Sequence, residues 1–400
     1  MNNSYIPAFE CRHTLVKHTK PLNTLKLNKD ATMLLSGADD GLLLVWNILH
    51  GSLEQTISVT FNGPVSAAVW TPISPNRPST TFAFGCADGT MFAYHQTQED
   101  EPYHTTCLVP AHDGRVETLA FDTHHHRIAS AGSGCAKVWQ LDMEGHFKLI
   151  HTLDSDPYII RNVSFHERGS NLLICYLESH QVYASVQHHL SCVLTRLARL
   201  CMKIENWVKE WCHSLPMRIG HATISGDSGT LIVSNLVDGV DTYAIPPQEP
   251  LRSFRHPINS NVPLLVSAVM DSSLIVVGSD DGCLRIYDHH TGQLSMSLPH
   301  GKGLVQIVNA ISDNGKSILV TGTSDTDDIA IKIWALIKEI AEDTQKTSPP
   351  PVYSTGLSFW QIVCIILVCC GVQAILLNLP FDRISDLIQN CLKLTPHFHH

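Results

Sequence analysis

Charge is what this chain has least of. Only 16 % of its 400 residues are Asp, Glu, Lys or Arg, and no basic block offsets the formal net charge of −10. Nonspecific nucleic-acid binding needs a concentrated phosphate-neutralising surface, so the composition argues against it. Scarce charge beside 44 % apolar residues also argues against disorder, and short apolar runs separated by Ser, Thr, Gly and Asp suit β structure better than helical bundles. Met1–Glu10 lacks a basic region followed by an apolar stretch, so no secretory leader is expected. The thirteen Cys show no C-x-x-C or regular spacing, the pattern of free thiols in a reducing compartment. Asn162-Val163-Ser164 is a formal glycosylation triplet, but it falls in a strand-like run expected to lie inside. No phosphate loop ending in Lys-Ser or Lys-Thr, no dinucleotide fingerprint, no G-x-S-x-G elbow and no H-E-x-x-H occurs. His124-His125-His126 reads as a polar turn, and His397-Phe398-His399-His400 lacks an acidic or Cys partner. No catalytic residues, cofactor site or metal site are therefore expected.

What is present is repetition. Asp39-Asp40-Gly41 runs into Leu42–Trp46, Asp88-Gly89 into Thr90–Tyr94, and Asp280-Asp281-Gly282 into Cys283–Tyr287. Each is an Asp before Gly, then a short apolar strand closed by an aromatic. Around these turns the chain divides into seven units of similar pattern, starting near Leu22, Val65, Val116, Ile159, Gly220, Leu264 and Leu304. Each unit reads as three strands, and several are followed by a fourth, such as Leu53–Val59, Lys148–Leu153 and Leu294–Leu298. Repeated four-stranded units of this length form blades around a channel. No fourth strand follows Trp334, whereas an unassigned extended piece, Phe9–Lys17, precedes the first unit. That piece is expected to complete the last blade, because an open ring leaves two strand edges unpaired.

With these units in view the chain resembles the WD40-repeat β-propellers, with seven blades over residues 9–336. That resemblance implies a network in each blade: a His before the first strand, a Ser or Thr in the second, an Asp in the turn and a Trp ending the third. His18, Ser36, Asp40 and Trp46 fill all four places in the first unit. His300, Thr321, Asp328 and Trp334 fill them in the seventh, with a longer turn through Ser324–Asp327. The third keeps His112, Ser130 and Trp139 but has Ser133-Gly134 at the turn. The second and sixth keep Asp88 and Asp281 with Tyr94 and Tyr287 in the Trp place, and the fourth and fifth are eroded. Buried polar groups must be hydrogen-bonded, so these residues are read as scaffold. Asp39, Arg161, Arg255 and Arg285 are candidate contacts for a protein or peptide partner on the propeller face.

Two segments depart from the repeat. In His189–Cys212, apolar residues including Leu190, Val193, Leu194, Leu197, Ile204, Trp207, Val208 and Trp211 return at three and four residues. Residues 189–212 are accordingly expected to form an amphipathic helix inserted after the fourth blade. Residues 337–356 read as a polar linker containing Pro349-Pro350-Pro351. Leu357–Leu379 carries no charge and is long enough to span about 30 Å of hydrocarbon as a helix, leaving a short tail over 380–400.

The resulting expectation is an all-β, seven-bladed WD40-like propeller closed by an N-terminal strand and followed by a single C-terminal transmembrane helix. Such a protein would be a non-catalytic scaffold, tail-anchored in an endomembrane with its propeller in the cytosol. Two alternatives accompany it. One is a fully soluble WD40 adaptor. The other is a guanine-nucleotide exchange factor for a small GTPase in vesicle budding, because blades followed by a membrane helix resemble the layout of the endoplasmic-reticulum factor that starts coated-vesicle budding. That family needs a metal-binding loop in its first blade, and Leu22–Trp46 contains no such insertion.

Overall fold

The computed structural model describes residues 8–336 except 73–79, 99, 180, 190–204, 227–228, 270–272, 314–315 and 326–327. Twenty-eight strands in these residues form seven antiparallel four-stranded sheets. The first sheet is β2 (Leu22–Leu27), β3 (Met33–Ala38), β4 (Leu42–Asn47) and β5 (Ser52–Ser58), hydrogen-bonded in chain order. The next five follow the same order. The last is formed by β26 (Ile307–Asp313), β27 (Lys316–Gly322) and β28 (Ile331–Leu336), with β1 (Phe9–Leu15) as its outer strand. The strand expected from Phe9–Lys17 thus closes the ring, pairing antiparallel from Phe9 opposite Leu336 to Leu15 opposite Ile331.

Seven apolar clusters hold the described sheets together, and each joins two neighbouring blades. Leu34 and Leu44 of the first blade pack with Ile307, Val320 and Ile333 of the seventh, while Val276 and Leu284 of the sixth pack with Leu319 and Trp334 of the seventh. The alternation of side chains along a strand explains this arrangement. Both faces of a blade meet another blade, so central strands are buried on both faces, as in Thr81–Cys86 and Arg127–Gly132, where every residue is buried.

The Asp-Gly repeats are the turns between the second and third strands. Gly41 donates its N–H to Ala38 O at 3.3 Å and adopts φ 72°, a left-handed conformation that glycine takes without a Cβ clash. Gly89 is confined further: a Cβ there would lie 1.9 Å from the His112 carbonyl oxygen.

The helix expected over 189–212 is corrected by the fold. β16 (Gln181–His189) and β17 (Glu205–Ser214) pair antiparallel as the outer half of the fourth blade, and residues 190–204 lie outside the described residues. A β-bulge between Ala184 and Ser185, opposite Lys209 and Trp211, leaves Glu210 without a facing residue. The bulge reverses the pleat, so Trp207 packs toward the third blade and Trp211 toward the fifth. Apolar residues on both faces of a bulged strand imitate helical spacing in one dimension.

The transmembrane helix is corrected as well. Among the described residues no helix is long and apolar enough to cross a membrane. The segment over 357–379, with the linker 337–356 and the tail 380–400, lies outside the described residues. An uncharged run of this length fits a span or a buried segment equally well on length alone, and nothing in the described chain selects the span. The membrane tether and the endomembrane location drawn from it are withdrawn.

Candidate functional site

The first blade assembles its four polar residues into one chain of hydrogen bonds. His18 Nδ1 lies 3.0 Å from Asp40 Oδ2, His18 Nε2 lies 2.8 Å from Ser36 Oγ, and Trp46 Nε1–H donates to Ser36 Oγ at 2.8 Å. An ionised carboxylate only accepts, so Nδ1 carries the histidine proton, Nε2 accepts from the Ser36 hydroxyl, and Ser36 accepts from Trp46. The backbone N–H groups of Thr19 and Leu42 also donate to Asp40 at 2.9 and 3.1 Å. Burial pushes the Asp40 carboxyl up, but the His18 hydrogen bond and the two amides outweigh it and hold the group below the usual carboxylate range.

The other blades vary this pattern. In the third, His112 Nε2 lies 2.9 Å from Ser130 Oγ, which accepts from Trp139 Nε1–H at 2.8 Å. No Asp is present at its turn, where Ser133 and Gly134 both take positive φ (51° and 72°), the signature of a tight hairpin turn. Without that carboxylate, burial and the Lys137 charge push His112 down to about 4. In the seventh blade Trp334 Nε1–H donates to Thr321 Oγ1 at 2.9 Å, but His300 Nε2 approaches the Thr321 carbonyl at 3.2 Å instead of the hydroxyl. His300 Nδ1 is buried with no hydrogen-bond partner among the described residues, so Asp328 does not complete a fourfold network there.

The second blade replaces the network with stacked rings. Phe82 and Tyr94 stack at 5.5 Å and Phe84 and Phe92 at 5.0 Å, while Asp88 caps its turn through Asn62 at 2.8 Å and Thr90 N–H at 2.9 Å. The sixth blade holds a histidine that the sequence reading missed. His256 Nδ1 lies 3.2 Å from the Tyr287 hydroxyl, at the place in the link where His18 stands in blade one. Its signal was a His preceding a link proline, hidden by the use of Tyr for Trp. Asp281 pairs instead with Arg285 and Ser279.

The four candidate partner contacts each have a partner within the propeller. Arg255 pairs with Asp238 and lies 3.4 Å from Asp241, and Arg285 is taken by Asp281. Asp39 accepts from Asn23 Nδ2 at 2.8 Å. Arg161 faces the central channel, 3.6 Å from Glu117.

A different surface does form. Strands alternate in direction, so the links between blades and the turns between second and third strands lie on one face of the ring. Asn62 in one link and Asp88 in the next blade's turn are hydrogen-bonded across it. Val16, Phe61, Tyr158, Ile159 and Val237 are exposed on these links and turns, among the acidic residues Asp39, Asp88, Asp238, Asp280 and Asp281. Among the described residues the one cluster with metal-ligand spacing is Asp142, Glu144 and His146, all exposed. His124 and His125 lie at the same turn as Asp122, which accepts from His125 at 2.8 Å.

The fold is a seven-bladed β-propeller, and the hydrogen-bond networks of its first and third blades are of the kind that WD40 repeats carry. The WD domain, G-beta repeat family matches residues 9–47, 102–140 and 249–288. The chain is similar to COMPASS component SWD3 of Saccharomyces cerevisiae, 32 % identical over 79 residues, 20 % of this chain and 24 % of that protein. It is 25 % identical to nuclear distribution protein PAC1 of Fusarium vanettenii over 118 residues, 30 % of this chain and 25 % of that protein. A guanine nucleotide-binding protein subunit beta-like protein of Encephalitozoon cuniculi is 25 % identical over 133 residues, 33 % of this chain and 38 % of that protein. The matches thus cover well under half the length of each of these relatives.

Two partner expectations are corrected here. The small-GTPase exchange reading rested on blades followed by a membrane helix, and that layout is not found among the described residues. A membrane partner falls for the same reason.

Proposed function

We propose that this propeller is a non-catalytic scaffold that binds a protein or peptide on the face carrying the inter-blade links. The observation that carries this reading is the set of exposed apolar side chains, Val16, Phe61, Tyr158, Ile159 and Val237, on links and turns that hydrogen bonds brace. Phe61 is fully exposed, and a large aromatic presented to water on a braced loop is a hot-spot type of anchor. The surrounding aspartates favour a partner with basic residues beside an apolar anchor. Rigid presentation lowers the ordering cost of binding.

The test is affinity capture with the intact chain, compared with a Phe61→Glu/Val237→Glu variant and a Leu49→Glu control on the opposite face, where Leu49 is also exposed. The expected result is a set of partners lost with the double variant and retained with the control. Capture that is indifferent to all three substitutions would sink the reading.

A further inference from the structure

The central channel has the opposite charge from the chain as a whole. The cavity measures about 580 Å³ and is lined by residues on the inner strand of each blade or just before it. Its fixed charges are Lys26, Arg115 and Arg161 against a single carboxylate, Glu117, so three cations face one anion in a protein of net charge −10. His221 also lines the cavity and is pushed down to about 3, first by burial and then by Lys26 and Arg161, so it adds no charge near neutrality.

The cations are only partly neutralised. Arg161 lies 3.6 Å from Glu117 and donates from Nε to Gly220 O at 3.1 Å. Arg115 donates to Asn23 Oδ1 at 3.0 Å, and Asn23 is itself braced by Asp39 at 2.8 Å. The Lys26 ammonium has no hydrogen-bond or ion-pair partner among the described residues, while its backbone carbonyl accepts from Trp70 Nε1–H at 2.9 Å. Burial pushes the Lys26 amine below its ordinary value, and burial, with Arg115 adding to it against the pull of Glu117, lowers Arg161, so both charges are held at a cost that a bound anion would relieve. Positioned cations with spare donors in a cavity of ligand size are what recognition of a phosphate group requires.

We propose that the channel binds a compact, phosphate-bearing small molecule through Lys26, Arg115 and Arg161. Its size limits the ligand. An extended polyanion would lie along the aspartates of the face above, whereas a compact one passes them and is screened from them beyond about 8 Å at physiological salt. The site is independent of the partner face proposed above, and neither reading requires the other.

The experiment is calorimetric titration of the full chain with tripolyphosphate and with inorganic phosphate at fixed ionic strength. Lys26→Met and Arg115→Gln are titrated beside Lys302→Met, an exposed link lysine outside the cavity. The expected result is one-to-one binding of tripolyphosphate, weakened on the order of tenfold or more by either channel substitution, as the loss of a charge-assisted bond predicts. Lys302→Met should bind as the parent does. Circular dichroism melting of each variant identifies folded protein, and Arg115→Gln carries the test if Lys26→Met does not fold. No binding by the parent, or equal binding by folded channel variants, would overturn the proposal. A phosphoserine peptide that binds where tripolyphosphate does not would also overturn it, assigning the site to a protein-borne phosphate.

Discussion

Ser36 both receives the Trp46 N–H and gives its own proton to His18, at 2.8 Å in each case. Ser36→Ala therefore strands two buried groups, and Ser130→Ala does the same to His112 and Trp139 in the third blade. An unsatisfied buried group costs about 1–3 kcal/mol, so each substitution should destabilise by roughly 2–4 kcal/mol in urea unfolding. Thr321→Val should cost about half as much, because His300 bonds the Thr321 backbone and only Trp334 loses a partner. Equal losses at all three positions would contradict this account. The first-blade set was legible because four residue types stood at the right intervals. The seventh-blade set stood in the same order with a longer turn, yet residue order cannot tell a threonine hydroxyl from its carbonyl. Lys26 and Arg115 were beyond reach, and Arg161 was read only as a contact on the face, for a related reason: the cavity charge comes from inner strands far apart in sequence, and no local pattern records which strands share a channel.

At the scale of the element, β17 is the instructive case. Trp207 is buried against Phe165 at 6.3 Å between ring centroids and against the Arg127 guanidinium at 5.2 Å. Arg127, also buried, donates to Asp122 at 2.8 Å and to the Gly169 carbonyl at 2.7 Å, tying the third blade to the fourth. Trp207→Ala should cost about 3–5 kcal/mol, as large core truncations do, and Trp211→Ala should cost less because Trp211 is only half-buried. Chemical denaturation of both variants checks the order; a reversed order would contradict the bulge that places the two rings on opposite faces. Tight turns were readable because Asp-Gly imposes its own backbone geometry. The bulged strand was not, since its facing residues depend on the partner strand.

At the scale of the molecule, the ring behaves as one unit because each described apolar cluster spans two blades, leaving no blade with a face of its own. Deleting residues 1–15 removes β1, exposes the edge of β28 and takes Phe9 and Leu15 out of two clusters. The expected outcome is loss of a single sharp urea transition, with tryptophan fluorescence and far-ultraviolet dichroism no longer coincident. Unchanged cooperativity would show that the latch is dispensable. By itself, the sequence determined the all-β class, the seven repeats, the Asp-Gly turns and the N-terminal closing strand, because each is set by local backbone preference or by counting unpaired edges. Only the tertiary structure decided that residues 205–214 extend as a strand, that Arg255 and Arg285 are spent within their own blades, and that Lys26, Arg115 and Arg161 converge. Those outcomes depend on which distant strands become neighbours, a property of ring closure that no sequence window contains.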